Sequence, residues 1–355
     1  MKVLYITNIP SPFRVDFFNE FGKYCDLTVI FERKRAKDRE RDWQSLEFHY
    51  FKGIFLKGKS IGADLSFCPE IVKYLQRKYD KIIFGGYTSP TCIMAIEYLR
   101  MKKIPFWLNA DGGVIKKDKL LVGMLKHHII SSARGWLSTG NLTTQYLCHY
   151  GAKKELVYLY PFTSMLEQEL YNPSLEEKEN KKHVLHINEK KVIISVGQFI
   201  PRKGFDLLVE TAKRLKYPAG IYIIGGKANE KYASIENVHF IDFMDKARLR
   251  EYYIAADLFV FPTREDVWGL VLNEAMAYGL PVVASTNAIA SHELVIEGEN
   301  GFLVNPEDIE KMAEKIDKIL SDDDMRQNMG KISYEIIQGY TIEKMALRHM
   351  EILQK

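Results

Sequence analysis

The sequence predicts an α/β protein built from two parallel-sheet domains. Short apolar or β-branched runs alternate with helix-patterned stretches almost from end to end. The alternation breaks once, from about residue 162 to residue 190, and then restarts. A chain of 355 residues also exceeds what one hydrophobic core of ordinary size holds. Continuous apolar strands joined through helices indicate parallel sheets covered on both faces.

In chain order, Val3 to Thr7 (VLYIT) is a strand, and Val15 to Tyr24 is a helix with Phe17, Phe18 and Phe21 on one face. Leu27 to Phe31 is a second strand. KIIFGG (Lys81 to Gly86), a helix through IMAIEYLR, and PFWLNADGG (Pro105 to Gly113) follow. The segment 166–190 is rich in Glu, Lys and Asn, has no clear strand, and is expected to link two domains. The alternation resumes with KVIISVG (Lys191 to Gly197), a helix FDLLVETAKRL, GIYIIGG (Gly220 to Gly226), NVHFID, DLFVFP and LPVVAS. The expected organisation is a first domain over 1–165, the linker, a second domain over 191–340, and a helix over 341–355 that is a candidate to pack back on the first domain.

Composition narrows the class. With 46% hydrophobic and 27% charged residues and no low-complexity tract, the chain is globular. A net charge of +4 argues against a general nucleic-acid binder. Cys25, Cys68, Cys92 and Cys148 form no CxxC pair, which supports neither a zinc site nor a disulfide framework and reads as reduced thiols in a cytoplasmic protein. MKVLYITNIPSPF reads as a first strand rather than a signal peptide. No window approaches the ~18 apolar residues of a membrane span.

In open α/β sheets ligands bind outside the carboxyl ends of the strands. In the first domain the strand-end stretches are Asn8 to Arg14, Gly85 to Pro90 and Asn109 to Gly113. In the second, the turn Gly197-Gln-Phe-Ile-Pro-Arg-Lys-Gly204 sets Arg202 and Lys203 just before a helix, a pattern suited to phosphate. A solvated basic turn is the competing reading. Gly225 and Gly226 end the next strand and would admit a ligand close to the backbone; glycine pairs also arise from turn geometry alone. Neither a GxGxxG nor a GxxxxGK[ST] pattern is present, which disfavours a nicotinamide dehydrogenase and a P-loop kinase.

The most informative stretch is Thr263-Arg-Glu-Asp-Val-Trp-Gly-Leu-Val-Leu-Asn-Glu-Ala-Met-Ala-Tyr-Gly279. Asp266 falls in the loop after a buried strand. Gly269 opens a helix running to Tyr278. Helical spacing puts Glu274 on a face with Leu270, Val271, Ala277 and Tyr278. A buried carboxylate needs a polar partner. Ribose hydroxyls would suit Glu274, and the N–H groups near Gly269 and Leu270 would suit a phosphate.

These residues resemble the C-terminal half of the family 4 retaining glycosyltransferases. The family pattern is E-x7-E within a run like EGFGLxxxEAMAxGxPVV; here it reads DVWGLVLNEAMAYGLPVV, followed by ELVIEGENGFLV. GQFIPRKGFDLL is similar to the family's phosphate-contacting turn, and AADLFVFPT to its preceding strand. The likeness is close over roughly residues 192 to 320, while the first domain matches in layout only. It implies the GT-B fold, two Rossmann-like domains with parallel sheets facing across a cleft. It also implies a nucleotide-sugar donor, UDP- or GDP-linked, on the second domain and an acceptor on the first. Carried over by position, Glu274 binds ribose, Asp266 lies by the donor sugar, and Arg202 and Lys203 neutralise the diphosphate. The donor set is completed by Gly197, Gln198, Gly225, Gly226, Gly269 and Leu270. The resemblance further implies retention of anomeric configuration by same-face attack, with the leaving phosphate accepting the acceptor's proton.

Three departures stand out. The first acid is Asp266 with Glu265 directly before it, so Glu265 is a candidate to share its task. Gln198 stands where many members have Arg. Asn109-Ala-Asp111 stands where many have a cleft His, making Asp111 a candidate catalytic-cleft residue, against a plain turn-forming Asp before two glycines. Arg14, Gly86 and Asn109 are the acceptor-side candidates.

Other signals weigh less. Asn109-Ala-Asp111 offers one carboxylate, and Asp322, Asp323 and Asp324 fit a helix start. Neither is expected to hold a metal, and no cofactor is expected. His127 and His128 read as ordinary helix residues. The basic segments Glu32 to Trp43 and Lys116 to Ile130 are candidates for peripheral contact with the inner face of a membrane; a solvated loop and a sheet-covering helix are the alternatives. The expectation is a cytoplasmic retaining hexosyltransferase. Its acceptor would be a glycan or lipid-linked glycan in cell-surface polysaccharide or lipopolysaccharide biosynthesis. A sugar-nucleotide epimerase, a disaccharide synthase or a non-catalytic sugar-nucleotide-binding protein are the rivals.

Overall fold

The computed structural model describes residues 1–34, 47–61, 65–76, 78–226 and 235–355. The basic segment at 32–43 lies, beyond Lys34, outside the described residues, as does Lys227. The chain forms two compact units, Met1–Ser164 with Thr341–Lys355, and Met165–Tyr340.

The first unit runs β1 (Lys2–Thr7), α1 (Pro12–Gly22), β2 (Asp26–Phe31), β3 (Lys52–Phe55), β4 (Lys59–Ile61), β5 (Leu65–Phe67), β6 (Lys81–Phe84), α2 (Pro90–Met101), β7 (Trp107–Ala110), α3 (Leu120–Ile130), β8 (Gly135–Ser138), α4 (Asn141–His149) and β9 (Val157–Leu159). Seven of these strands form one parallel sheet in the order β3-β2-β1-β6-β7-β8-β9, while β4 and β5 make a separate antiparallel pair. β1 is central, and Val3, Leu4, Tyr5 and Ile6 are fully buried, as a strand covered on both faces requires.

Helix α1 starts three residues earlier than the apolar spacing suggests, because Pro12 occupies its first turn, where the missing N–H costs nothing. Arg14 is therefore a helix residue rather than a loop residue. Helix α2 begins the same way, with Pro90 in its first turn and the Ser89 hydroxyl accepting from the Cys92 N–H.

The second unit runs α5 (Leu175–Val184), β10 (Val192–Val196), α6 (Phe205–Ala212), β11 (Gly220–Ile224), β12 (Val238–Ile241), α7 (Lys246–Ala255), β13 (Leu258–Phe261), α8 (Leu270–Ala277), β14 (Val282–Ser285), α9 (Ile289–Leu294), β15 (Gly301–Val304), α10 (Ile309–Leu320) and α11 (Asp323–Ile337). Its six strands are parallel, in the order β12-β11-β10-β13-β14-β15. The direction of winding reverses between β10 and β13, which makes their carboxyl ends a topological switch point. Asp322 caps α11, accepting from the Met325 N–H at 2.9 Å, so the Asp322–Asp324 cluster is a helix start.

The polar stretch expected to be a linker contains helix α5, capped by Ser174 with Glu177 reciprocating. Its charges are used inward. Lys182 is 3% exposed and its Nζ lies 3.0 Å from Asp257. Lys178 Nζ donates to the Ala256 carbonyl at 2.7 Å, and burial pulls its pKa down to about 8. Composition concealed this helix because its docking side chains are lysines rather than leucines.

The last helix, α12 (Ile342–Leu353), belongs to the first unit and packs on α1. It buries Ile342, Met345, Ala346, His349, Ile352 and Leu353, and the His349 ring sits 4.8 Å from Phe17.

Candidate functional site

In the second unit the loops after β10 and β13 bring three charged residues together. Lys203 Nζ donates to Asp266 Oδ2 at 2.5 Å, and Arg202 Nη1 stands 3.7 Å from Asp266 Oδ1. Arg202 also donates to the Glu265 carbonyl at 2.9 Å. The two loops are laced by backbone as well, with the Arg264 N–H and the Thr263 hydroxyl both donating to the Arg202 carbonyl. Asp266 is held from the far side by its own N–H, which donates to the Asn287 carbonyl at 3.2 Å. This is a cation–carboxylate cluster in which Lys203 and Asp266 are mostly buried and Arg202 remains exposed.

Next to it α8 begins at Gly269, whose φ of 108° is in the left-handed region. A Cβ there would stand 2.6 Å from the Phe261 ring, so only glycine fits. The first bond of the helix is made by the Leu272 N–H to the Gly269 carbonyl. The N–H groups of Leu270 and Val271 thus precede the helical ladder and carry the positive end of its dipole. Trp268 is buried, with its indole N–H on Asn273, which fixes the turn.

Glu274 is one turn further on. It is half-buried, on the same open side of α8 as Leu270 and Val271, while Ala277 and Tyr278 are buried in the core. The predicted common face is therefore split, half toward solvent and half toward the core. The Tyr253 hydroxyl donates to Glu274 Oε2 at 3.2 Å. Burial, and then the Glu274 charge, raise the Tyr253 pKa far above its ordinary value, so the phenol stays a donor.

The glycine loops lie on adjacent strand ends. Gly197 and Gly225 approach so closely that a Cβ on Gly225 would meet the Gly197 carbonyl oxygen at 2.7 Å. Gly226 sits against Phe199, and Gln198 is exposed. Glu265 is exposed too, and what it gives to Arg202 is its carbonyl.

In the first unit Asp111 lies at the end of β7 with its side chain 30% exposed. Arg14 makes an ion pair with it. Asn109 Nδ2 and the Tyr160 hydroxyl both donate to its Oδ1, at 2.9 and 3.0 Å. Burial would lower the Arg14 pKa, but the Asp111 charge and the Tyr5 and Tyr160 phenols outweigh it and the net shift is upward. Behind Asn109, His349 Nε2 lies 3.0 Å from its Oδ1. Arg14 and Asn109, expected on the acceptor side, are instead buried at 4% and 2% exposure. They hold Asp111 in place, and Asp111 alone of the three reaches solvent. Gly86 lies two residues past β6, with nothing within 4 Å of where a Cβ would be.

Tyr253, Tyr160 and His349 were not singled out from sequence. His349 had a signal, a histidine on the apolar stripe of an amphipathic helix. The two tyrosines had none, because each meets its carboxylate only in three dimensions. Among the described residues, no group of three or more His, Cys, Asp or Glu is placed to hold a metal ion, and no helix is long and apolar enough to cross a membrane.

Residues 176–336 match the family model for glycosyl transferases group 1. An uncharacterised glycosyltransferase of Haemophilus influenzae is 29% identical over 70% of this chain and 76% of its own. The capsular polysaccharide biosynthesis glycosyltransferase CapM of Staphylococcus aureus is 30% identical over 46% of this chain, which spans 44% of CapM. Anabaena HepE, crystallised with UDP, superposes over 100% of both chains with a TM-score of 0.81 at 17% identity. That likeness shows the fold alone. The chain has the GT-B fold with a glycosyl transferases group 1 match in its second unit, and the class that fold and relatives together support is a glycosyltransferase.

Proposed function

We propose that this chain is a retaining glycosyltransferase of family 4. It would move a hexose-type sugar from a UDP- or GDP-linked donor to a glycan or lipid-linked glycan in cell-surface polysaccharide biosynthesis. The observation that carries the reading is the Lys203–Asp266–Arg202 cluster beside the amino end of α8. Two cations and free-ended helix N–H groups form an anion site, and the Asp266 carboxylate holds the lysine in position for it.

In this reading the donor diphosphate shares Lys203 with Asp266 and takes N–H groups from Leu270 and Val271. Glu274, oriented by Tyr253, accepts from the ribose hydroxyls. As the bond from the sugar's anomeric carbon to the phosphate oxygen breaks, its electron pair passes to the diphosphate, and the fixed cations stabilise the charge that develops. The acceptor oxygen bonds to the same face of the anomeric carbon, and its proton passes to the leaving phosphate oxygen. No metal is invoked, because Arg202 and Lys203 supply positive charge at the required place. Asp111, a partly exposed carboxylate at the end of β7, would orient the acceptor. The similarity to CapM, a capsular polysaccharide biosynthesis glycosyltransferase, supports the polysaccharide setting.

Calorimetry with UDP, GDP, ADP and CMP, each with and without Mg2+, tests the reading. Micromolar binding of one nucleotide, unchanged by Mg2+ and lost in Glu274→Ala, is expected. Binding of none of the four would overturn it.

A further inference from the structure

The segment that follows Asp111 keeps its apolar side chains out of the core. Val114, Ile115, Leu120, Leu121, Met124 and Leu125 are all exposed, Leu120 and Leu121 at 79% each. Within α3 only Ile129 and Ile130, at its end, are buried. A helix on a water-facing surface buries its apolar stripe and solvates the rest; the first two turns of α3 do the opposite. Single exposed leucines are ordinary, but a contiguous run of them marks an interaction surface.

The charge along this run is mainly positive. Lys116, Lys117 and Lys119 are exposed and interleave with the apolar residues. The one carboxylate of the stretch, Asp118, is engaged by its neighbours: it accepts from the Tyr150 hydroxyl and from Lys126 Nζ at 2.9 Å. Those two bonds, Tyr150's foremost, hold it below the usual carboxylate range. The surface therefore presents leucines and lysines, with the carboxylate of the stretch drawn to Tyr150 and Lys126.

We propose that residues 114–125 dock on an anionic lipid bilayer, the apolar side chains entering the headgroup boundary and the lysines meeting lipid phosphates. A second copy of the chain fits less well, since a two-fold contact through this patch would set lysines against lysines. The patch is also tied to the strand ends. Val114 comes three residues after Asp111. Gly113 packs under the Tyr146 ring, whose hydroxyl lies 2.5 Å from that of Tyr87, just beyond β6. Resting on the transferase reading, this geometry identifies the acceptor as one presented from the membrane surface, carried by a lipid rather than free in solution.

The test is cosedimentation of the full chain with phosphatidylcholine vesicles, with and without phosphatidylglycerol, over a range of salt. The chain is expected to bind the anionic vesicles and to lose binding as salt rises. Leu121→Glu with Leu125→Glu should lower binding at least about tenfold, and Lys117→Glu about fivefold or more. All these side chains are exposed, so the variants should keep the wild-type melting temperature and nucleotide affinity. Failure to bind either vesicle, or undiminished binding by the leucine variant, would overturn the proposal. So would a dimer that the leucine variant dissociates in the absence of vesicle binding. Nucleotide calorimetry is a separate arm: vesicle binding without nucleotide binding would sink the transferase reading and leave the docking surface standing.

Discussion

His349 Nε2 lies 3.0 Å from Asn109 Oδ1, joining the last helix of the chain to the strand end that carries Asp111. His349 is 1% exposed, and burial drives its pKa down to about 3. The imidazole is therefore neutral in the folded chain at ordinary pH. In the unfolded chain it protonates near the ordinary histidine value of about 6.5. Between those two values the unfolded state binds more protons, so stability falls as pH drops from about 6.5 toward 3 and is unaffected above that window. His349→Gln should flatten this acid limb by up to one proton's worth of slope. Urea denaturation at several pH values measures it, and equal slopes in both proteins would refute it.

Asp111 should matter to turnover and not to donor binding. Replacing it with Asn removes the charge that Arg14 faces and changes what the strand end offers an acceptor. The expected cost is about 100-fold in kcat, the scale associated with a misplaced reacting group. Nucleotide affinity by calorimetry should be unchanged. A parallel loss of nucleotide affinity would remove Asp111 from the acceptor side.

Lys203→Ala should weaken nucleoside diphosphate binding by about 10- to 100-fold, the range of one charge-assisted hydrogen bond. It should also reduce the salt dependence of that binding. The unphosphorylated nucleoside should bind as before. Equal loss for nucleoside and diphosphate would mean that Lys203 supports the loop and does not meet phosphate.

Asp257 is the counter-ion of the second unit's buried cations. It lies 3.0 Å from Lys182 Nζ and 3.6 Å from Arg326 Nε, and accepts from the Val192 N–H at 2.9 Å. Asp257→Ala would leave Lys182 with Glu179 and Arg326 with Asp323 as remaining counter-ions and the Val192 N–H without its acceptor, at a cost of about 1–3 kcal/mol. A thermal or urea unfolding curve reads this directly. A change under about 1 kcal/mol would show that α5 is held by other contacts.

Local patterns settled a good deal before any coordinates. The alternation of short apolar runs and helical spacing depends only on periods of about 2 and 3.6 residues, so β1, β10, β13 and α8 were legible. Asp266 and Glu274 belong to one loop and the helix that follows it, so their relation follows from spacing along a few turns. Lys203 was recognisable because a basic turn before a helix is a local arrangement. What sequence left open was which distant groups meet. Arg14 looked like a loop residue facing a ligand, and only the fold brings the first turn of α1 to the end of β7 and makes Arg14 the partner of Asp111. Asn109 meets a histidine 240 residues away. The polar stretch at 166–190 looked like a linker because Lys182 finds its carboxylate, Asp257, only after three strands and two helices of intervening chain. Periodicity is carried by neighbours along the chain, whereas burial and charge pairing depend on the order in which strands enter the sheet. That order places β10 between β11 and β13 and brings Lys203 to Asp266, and only the tertiary structure decides it.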